Sequence, residues 1–89
     1  MIHENIIIIN KLGLHARAAA KLVNCASEYA SDVQIVRNGQ QVNGKSIMGV
    51  MMLAASKGTE LALEVTGEDE VEALAALKKL IGERFGEPE

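Results

Sequence analysis

An Asn38-Gly39 pair between two short segments, residues 33–37 and 40–42, limits the fold more than any other feature of this sequence. Both central residues of a type I′ turn need a positive φ, and Asn-Gly is a strongly preferred pair for that turn. We therefore predict that residues 33–37 and 40–42 form an antiparallel hairpin. Parallel strands need a connection of a dozen or more residues, so a purely parallel, doubly wound sheet is the less favoured alternative.

Hydrophobic spacing predicts two further strands and three helices. Residues 6–9 are all isoleucine, and we expect a buried strand over residues 6–10. Residues 60–66 alternate, as expected of a half-buried strand. Helical spacing covers residues 16 to about 29, 47–54 and 69–85. The predicted core positions are Leu61, Leu63 and Val65 in the alternating strand, Ala19, Leu22, Val23, Ala26 and Ala30 in the first helix, and Val71, Leu74, Leu77, Ile81 and Phe85 in the last.

The element order, βαββαβα, favours an α+β fold. Strands with one apolar face need helices to cover that face. We expect an open-faced β-sandwich, in which a four-stranded, mainly antiparallel sheet carries the three helices on one face. A length of 89 residues suits a single domain, which we expect to span residues 1–89.

Charge and cysteine content narrow the classes of function. A net charge of -3 argues against a nucleic acid partner, which would need a basic face. Cys25 is the sole cysteine, which excludes an internal disulfide and a cysteine metal cluster and fits a reducing compartment. The aliphatic run is too short for a membrane span, and residues 1–5 lack the basic start of a signal peptide. We expect a cytoplasmic protein without membrane insertion, metal or cofactor.

The segment Gly13-Leu14-His15-Ala16-Arg17 places a histidine where a glycine turn leads into the first predicted helix. A helix N-terminus offers unpaired backbone N–H groups and the positive end of the helix dipole, so it attracts anions. The same field disfavours a protonated imidazole and keeps one ring nitrogen of His15 available as a nucleophile. The N–H groups of Ala16, Arg17 and Ala18, together with the Arg17 guanidinium, could hold the oxygens of a phosphoryl group.

The alternative for this segment is purely structural. His15 is then only a polar helix cap and Arg17 a solvated surface charge, which is the commoner role of a lone histidine. Cys25 is expected to be a small core residue, and His3 has no companion residue for catalysis. No pair of carboxylates suggests acid–base chemistry, so His15 remains the candidate nucleophile.

A second motif runs from Asn43 to Met52, where a glycine turn leads into the short predicted helix. Ser46 is well placed to cap that helix, and a phosphate on its hydroxyl would face the positive end of the dipole. The string Gly44-Lys45-Ser46 suggests the phosphate loop of nucleotide-binding proteins, an interpretation that we set aside, and no nucleotide site is predicted. Three methionines, Met48, Met51 and Met52, cannot all be buried on so short a helix. Some should form an adaptable contact surface and at least one should fill the core.

The two motifs resemble those of the histidine-containing phosphocarrier (HPr) family of the bacterial phosphoenolpyruvate-dependent sugar phosphotransferase system. Gly13 to Arg17 followed by Ala19-Ala20, and Asn43 to Gly49, carry the resemblance, which extends over nearly the whole chain. At this mutual spacing the two motifs are highly specific. The resemblance implies an open-faced β-sandwich with three helices. It also implies a phosphoryl carrier with no independent turnover of a small substrate, and therefore not an enzyme.

The resemblance also implies roles for individual residues. Enzyme I, itself phosphorylated by phosphoenolpyruvate, would donate to Nδ1 of His15, which would then donate to EIIA domains, with Arg17 as the helper on the phosphate side. Ser46 matches the family's regulatory serine, the target of an HPr kinase/phosphorylase where that enzyme exists. The implied partner-docking residues are Leu14, Ala20, Ile47, Met48 and Met51. We expect the carrier to be a monomer.

One residue departs from the family pattern, because Ala18 stands where proline usually follows the active-site arginine. A variant motif also occurs in phosphocarriers of the nitrogen-related branch, so a regulatory carrier of that branch is the alternative to a sugar-uptake role. Two rival functions are less favoured. A stand-alone hydrolase or phosphatase using His15 would lack a companion acid, metal ligand or nucleophile. A regulatory module acting through Ser46 alone would not need His15.

Overall fold

The computed structural model describes all 89 residues, which form four strands, three α-helices and one short 3₁₀ helix. The order of these elements confirms the predicted βαββαβα succession. In chain order they are β1 (Ile2–Ile7), α1 (Ala16–Ser27), β2 (Asp32–Arg37), β3 (Gln40–Asn43), α2 (Ile47–Met52), β4 (Glu60–Thr66), α3 (Glu70–Gly82) and the 3₁₀ helix (Arg84–Gly86).

The four strands form one sheet in the order β1-β4-β2-β3, and every neighbouring pair is antiparallel. β2 and β3 form the predicted hairpin, in which Arg37 pairs with Gln40. The two turn residues, Asn38 and Gly39, have φ of 48° and 82°, as a type I′ turn requires. The parallel alternative is therefore wrong.

The helices pack on one face of the sheet, and the core lies between the two layers. β4 pairs with β1 on one side and β2 on the other, and it buries Leu61, Leu63 and Val65 as its alternation predicts. Leu22 of α1 and Leu77 of α3 are fully buried against this face. One cluster of 20 buried apolar side chains results. No helix combines the length and the apolar character that a membrane span requires.

The first strand lies earlier in the chain than residues 6–10, where the aliphatic run predicts it. β1 ends at Ile7, which pairs with Glu60, the first residue of β4. Beyond that point Ile8 remains buried, and its N–H donates to the carbonyl of Thr59 at 3.0 Å. The predicted burial holds for Ile8 but not for Ile7 and Ile9, which are 52% and 41% exposed. A strand also needs a paired neighbour, and β4 provides none beyond Glu60.

All three helices end before the residues at which hydrophobic spacing places their ends, and α1 ends at Ser27. α2 ends at Met52, because Ala54 has a left-handed φ of 50°, and the Arg37 guanidinium donates to the carbonyls that follow the helix. α3 ends at Gly82, and the chain then turns through Arg84 and Phe85, with φ of 57° and 56°. This turn brings Phe85 into the core from outside the helix.

Two predicted core positions are wrong. Val71 is 65% exposed, because the buried stripe of α3 runs through Leu74 and Leu77. At 100° per residue, Val71 lies about 100° around the helix from the centre of that stripe. Ala30 is exposed because α1 ends at Ser27, so the helical periodicity no longer applies to it.

Candidate functional site

The loop between β1 and α1 leads to His15, and Gly13 makes its path possible. Gly13 has a φ of 69°, and a Cβ at this position would lie 2.6 Å from the carbonyl oxygen of Ala55. That oxygen accepts a hydrogen bond from the N–H of Leu14 at 2.8 Å. The left-handed backbone and the close approach both require glycine. The loop is thereby fixed to the segment that follows α2.

His15 is the N-cap residue of α1, with extended φ and ψ of -71° and 175°. Its ring makes no capping hydrogen bond, so the interpretation of His15 as a side-chain cap is wrong. Instead, Nε2 contacts Oε2 of Glu87, and the side chain is 29% exposed. Since an ionised carboxylate can only accept, the proton in this contact lies on Nε2. In the neutral imidazole, Nδ1 is then the ring nitrogen with a free lone pair.

The first turn of α1 supplies donors beside the ring. The N–H groups of Ala16, Arg17 and Ala18 have no acceptor in the protein, and the first helical hydrogen bond runs from Ala19 N–H to His15 carbonyl at 2.8 Å. The Arg17 side chain is exposed and makes no ion pair. Unpaired N–H groups at a helix N-terminus and a free guanidinium are suited to binding the oxygens of a phosphoryl group.

Glu87 is a site residue that the sequence analysis did not identify. Its Oε1 accepts from Nδ2 of Asn10 at 2.9 Å, while Oε2 contacts His15. The hydrogen bond from His15, followed by that from Asn10, lowers the pKa of the Glu87 carboxyl, which therefore stays ionised at neutral pH. The one signal in the sequence for such a partner was Asn10, because a buried amide beside an aliphatic run must find a hydrogen-bond partner.

Ser46 is the N-cap residue of α2, as predicted. Its Oγ accepts a hydrogen bond from the N–H of Gly49 at 3.1 Å. Gly44, two residues earlier, approaches β2 so closely that a Cβ would lie 2.6 Å from Cγ1 of Val33. Packing against the sheet therefore explains this glycine.

The spacing of the glycines would allow a phosphate loop, but the structure of this segment excludes one. Gly39 and the Gly44-Lys45-Ser46 string do match the G-x-x-x-x-G-K-S spacing of such loops. However, Gly39 lies in the hairpin turn and the four residues between form β3, so no backbone cradle exists. The Lys45 Nζ donates to the carbonyl of Tyr29 at 2.8 Å and does not point into a phosphate site.

An exposed apolar surface lies on α2, which packs beside α1. We call it the α2 apolar patch, and its members are Ile47, Met48, Met51 and Met52. Met48 is 77% exposed, and the other two methionines are exposed as well, so the prediction that at least one methionine fills the core is wrong. Val50 is the helix residue that is fully buried, and it fills the position that faces the sheet.

The structure corrects one of the docking residues implied by the resemblance. Leu14 is only 6% exposed and belongs to the core cluster, because its backbone is held against Ala55 with the side chain turned inward. Ala20 is partly exposed on α1 and remains available to a partner. Leu12, two residues before Leu14, is exposed instead.

Other reactive side chains lie apart from this site. Cys25 is half-buried beside the core, and burial raises the pKa of its thiol, so it does not have the character of a nucleophile. His3 pairs with Glu64 at 3.2 Å on the open face of the sheet. No group of three or more side chains is arranged to hold a metal ion.

Comparison with known proteins finds similarity along almost the whole chain. The model of the PTS-HPr family, described as the PTS HPr component phosphorylation site, matches residues 2–83. The phosphocarrier proteins HPr of Cupriavidus necator and Neisseria meningitidis serogroup B are 57% and 56% identical over 89 residues, which cover 100% of each chain. The crystal structure of HPr-C-His from Thermoanaerobacter tengcongensis is 45% identical, covers 100% of both chains and has a TM-score of 0.96. This match confirms the predicted open-faced β-sandwich.

Proposed function

We propose, since this chain belongs to the HPr family of the phosphotransferase system, that His15 is the residue on which it carries a phosphoryl group. The protein is a phosphocarrier of that system. One arrangement carries the proposal. An accessible imidazole, with Nδ1 unpaired, lines one open pocket together with Ala16 and Arg17, whose N–H groups and guanidinium also lack partners.

We infer that the first turn of α1 binds the phosphoryl group while Nδ1 of His15 holds it. The N–H groups of Ala16, Arg17 and Ala18 lie at the N-terminus of the helix without partners, where anions bind. Ala16 and Arg17 are exposed and Ala18 is completely buried, so we expect the first two to be the main donors to the phosphoryl oxygens. Arg17 adds a full positive charge on a side chain that no carboxylate neutralises. These groups support transfer because they stabilise negative charge without holding a proton that must move.

The expected donor is enzyme I and the expected acceptors are EIIA domains. An open site beside an exposed apolar surface suits a carrier that several proteins must recognise in turn. We assign docking to Ile47, Met48 and Met51 of the α2 apolar patch, with Ala20 of α1 beside them and Met52 as an additional member. The functional unit is expected to be a monomer with one domain over residues 1–89, which size-exclusion chromatography with light scattering would test.

We further propose that Ser46 is a regulatory site for an HPr kinase/phosphorylase where that enzyme is present. Ser46 immediately precedes the α2 apolar patch, and its hydroxyl accepts from the N–H of Gly49. A phosphate on this oxygen would keep a favourable position at the helix N-terminus and would place negative charge beside the docking surface. Regulation would then act on partner binding and leave the fold intact.

A regulatory carrier of the nitrogen-related branch is the second candidate, and Ala18 favours it. This residue replaces the family's usual proline directly after Arg17. Purified phosphoprotein mixed with equal amounts of a sugar-type and a nitrogen-type EIIA domain would decide between them. Faster transfer to the sugar-type domain would support the first function, and faster transfer to the nitrogen-type domain would support the second.

Incubation with enzyme I and phosphoenolpyruvate, read by intact mass, tests the proposed function. We expect one phosphoryl group per chain, labile in acid and stable in alkali, as a phosphoramidate should be. His15→Ala should abolish the mass shift, whereas His3→Ala, the matched control, should keep it. A shift that survives in His15→Ala would overturn the assignment of His15. Phosphate release without any partner would favour a hydrolase, and no shift in the wild type would favour a module that acts through Ser46 alone.

A further inference from the structure

The C-terminal tail after α3 folds back over the loop that precedes His15. Lys21 of α1 donates from Nζ to the carbonyl of Phe85 at 2.7 Å, which holds the start of the tail. Two residues later, Oε1 of Glu87 accepts from Nδ2 of Asn10 at 2.9 Å. The Glu87 side chain is consequently well shielded from solvent, although it belongs to the last three residues of the chain. Hydrogen bonds of the tail to Lys21 and Asn10 thus hold Glu87 in contact with His15.

The orientation of Asn10 is determined by its partners. Asn10 is completely buried, and its Nδ2 donates both to the Gly13 carbonyl at 2.8 Å and to Glu87. Both partners can only accept, so a rotated amide would place Oδ1 against two oxygen atoms. The amide therefore always presents a donor to Glu87, while its own Oδ1 has no hydrogen-bond partner.

We propose that Glu87 is a positioning residue for phosphoryl transfer, because its carboxylate holds the neutral ring of His15 with the proton on Nε2 and the lone pair on Nδ1. The inference rests on the proposed function, in which His15 is phosphorylated. Glu87 faces two donors, Asn10 Nδ2 and His15 Nε2, and a carboxylate satisfies both because each of its oxygens accepts. A glutamine at this position has one accepting oxygen, so it must lose one contact or donate to Nε2 and move the ring proton to Nδ1.

The same contact stabilises the charge that develops during transfer. As Nδ1 attacks, the Nδ1–P bond forms while the bond from phosphorus to the donor breaks, and its electron pair leaves with the donor. The proton stays on Nε2, so the ring becomes positively charged beside the ionised Glu87. In onward transfer the Nδ1–P bond breaks, its electron pair returns to Nδ1, and the ring becomes neutral again. Glu87 therefore assists both directions, and no proton is exchanged with solvent.

The tautomer of His15 can be read without any partner protein. In long-range ¹H–¹⁵N spectra of the full chain at pH 8, where an imidazole is neutral, a protonated ring nitrogen and a bare one have well-separated shifts. We expect a protonated Nε2 and a bare Nδ1 in the wild type. Glu87→Ala and Glu87→Gln should both shift the two nitrogens toward each other, because the Nδ1–H form becomes populated. Wild-type shifts in both variants would overturn the proposal.

Phosphorylation by enzyme I provides the second readout. We expect kcat to fall about tenfold in both variants, which corresponds to the loss of one charge-assisted hydrogen bond at a partly exposed site. KM for enzyme I should be unchanged, because the α2 apolar patch is not altered. A tail that merely supported the docking surface would instead raise KM at constant kcat, and that result would contradict the inference.

Glu89→Gln is the matched control, since it removes a carboxylate from the same tail. The Glu89 side chain reaches Lys11 at 3.7 Å and does not contact His15, and its backbone carbonyl still accepts from the Lys11 N–H. In Glu89→Gln, the His15 tautomer and kcat should equal those of the wild type. If kcat fell as much in Glu89→Gln as in the Glu87 variants, the Glu87 carboxylate would have no special role. A wild type that is not phosphorylated on His15 would refute the proposed function, whereas normal kcat in both Glu87 variants would refute only the role of Glu87.

Discussion

Replacing Gly13 by alanine should reveal two separate costs that the loop before His15 imposes on a side chain. The first is the backbone, because a left-handed conformation costs an L-residue about 1–2 kcal/mol. The second is steric, since a Cβ would lie 2.6 Å from the carbonyl oxygen of Ala55 and 2.8 Å from Cα of Ser56, and backbone atoms cannot rotate away. Overpacking of this kind costs about 1–3 kcal/mol. Gly13→Ala should therefore lower the free energy of unfolding by about 2–5 kcal/mol.

Gly58 offers a matched control for this measurement. It also has a left-handed φ, of 90°, but a Cβ there would meet nothing within 4 Å. Gly58→Ala should lose only the backbone part, about 1–2 kcal/mol. Urea unfolding of both variants should show lower midpoints with unchanged m-values. The difference between the variants, about 1–3 kcal/mol, then measures the steric cost alone.

The Gly13 variant should also phosphorylate slowly. The clash falls on the carbonyl that anchors the N–H of Leu14, so the loop must move and His15 must move with it. Gly58→Ala should accept phosphate at the wild-type rate. Equal losses of stability in the two variants, with equal rates, would show that the loop adapts to a side chain and that Gly13 does not determine the position of His15.

Four further changes test separate parts of the account. Arg17→Ala should slow transfer from enzyme I without lowering the melting temperature, because an exposed charge contributes little to stability; an unchanged rate would make Arg17 a solvated surface residue. Ser46→Asp should keep the helix cap and the melting temperature but weaken enzyme I binding in calorimetry, through charge beside the α2 apolar patch; unaltered affinity would restrict Ser46 to capping. Ala18→Pro should raise stability by about 0.4–1 kcal/mol, because the N–H of Ala18 has no partner to lose; a melting temperature several degrees lower would show that proline does not fit this turn. Asp69→Asn should reduce the loss of stability that the protein shows as the pH is lowered into the acid range. Hydrogen bonds, first that from the Ser31 hydroxyl, lower the pKa of Asp69, so the wild type loses this stabilisation as the pH falls below about 4; thermal melts with equal slopes in both proteins would contradict it.

The hairpin and the start of α1 could be predicted because each depends on a few neighbouring residues. Asn38 and Gly39 adopt a positive φ by their own preference, and the two strands beside them need no distant information to pair. Gly13 and His15 are likewise part of one short segment, so the position of the ring at a helix N-terminus followed from local pattern. For the same reason Ser46 was correctly predicted as a helix cap.

The contact between Glu87 and His15 could not be predicted, because the two residues are 72 positions apart. It depends on the left-handed turn through Arg84 and Phe85, where neither residue type favours that conformation. Packing of Phe85 into the core fixes this turn, and packing is a property of the whole fold. From the sequence alone, a short acidic segment after the last helix predicts side chains that are exposed to solvent.

Helical periodicity also has a limit that α2 and α3 illustrate. It identifies apolar positions but not which of them face the sheet. Val71 is apolar and lies three residues before Leu74, but it falls on the exposed side of α3. Met48 and Met51 are apolar residues of a helix with only one fully buried side chain, Val50. Only the placement of the sheet decides which apolar residues are left at the surface.

The central claim, that His15 carries a phosphoryl group from one partner to another, is tested most directly by following a single group through the protein. The chain is labelled with enzyme I and radioactive phosphoenolpyruvate, freed of both, and mixed with an EIIA domain. We predict that the label leaves this protein and appears on the EIIA domain in a one-to-one ratio, and that His15→Ala takes up no label. Label that stays on the protein, or that appears as free phosphate in place of labelled EIIA, would contradict the claim.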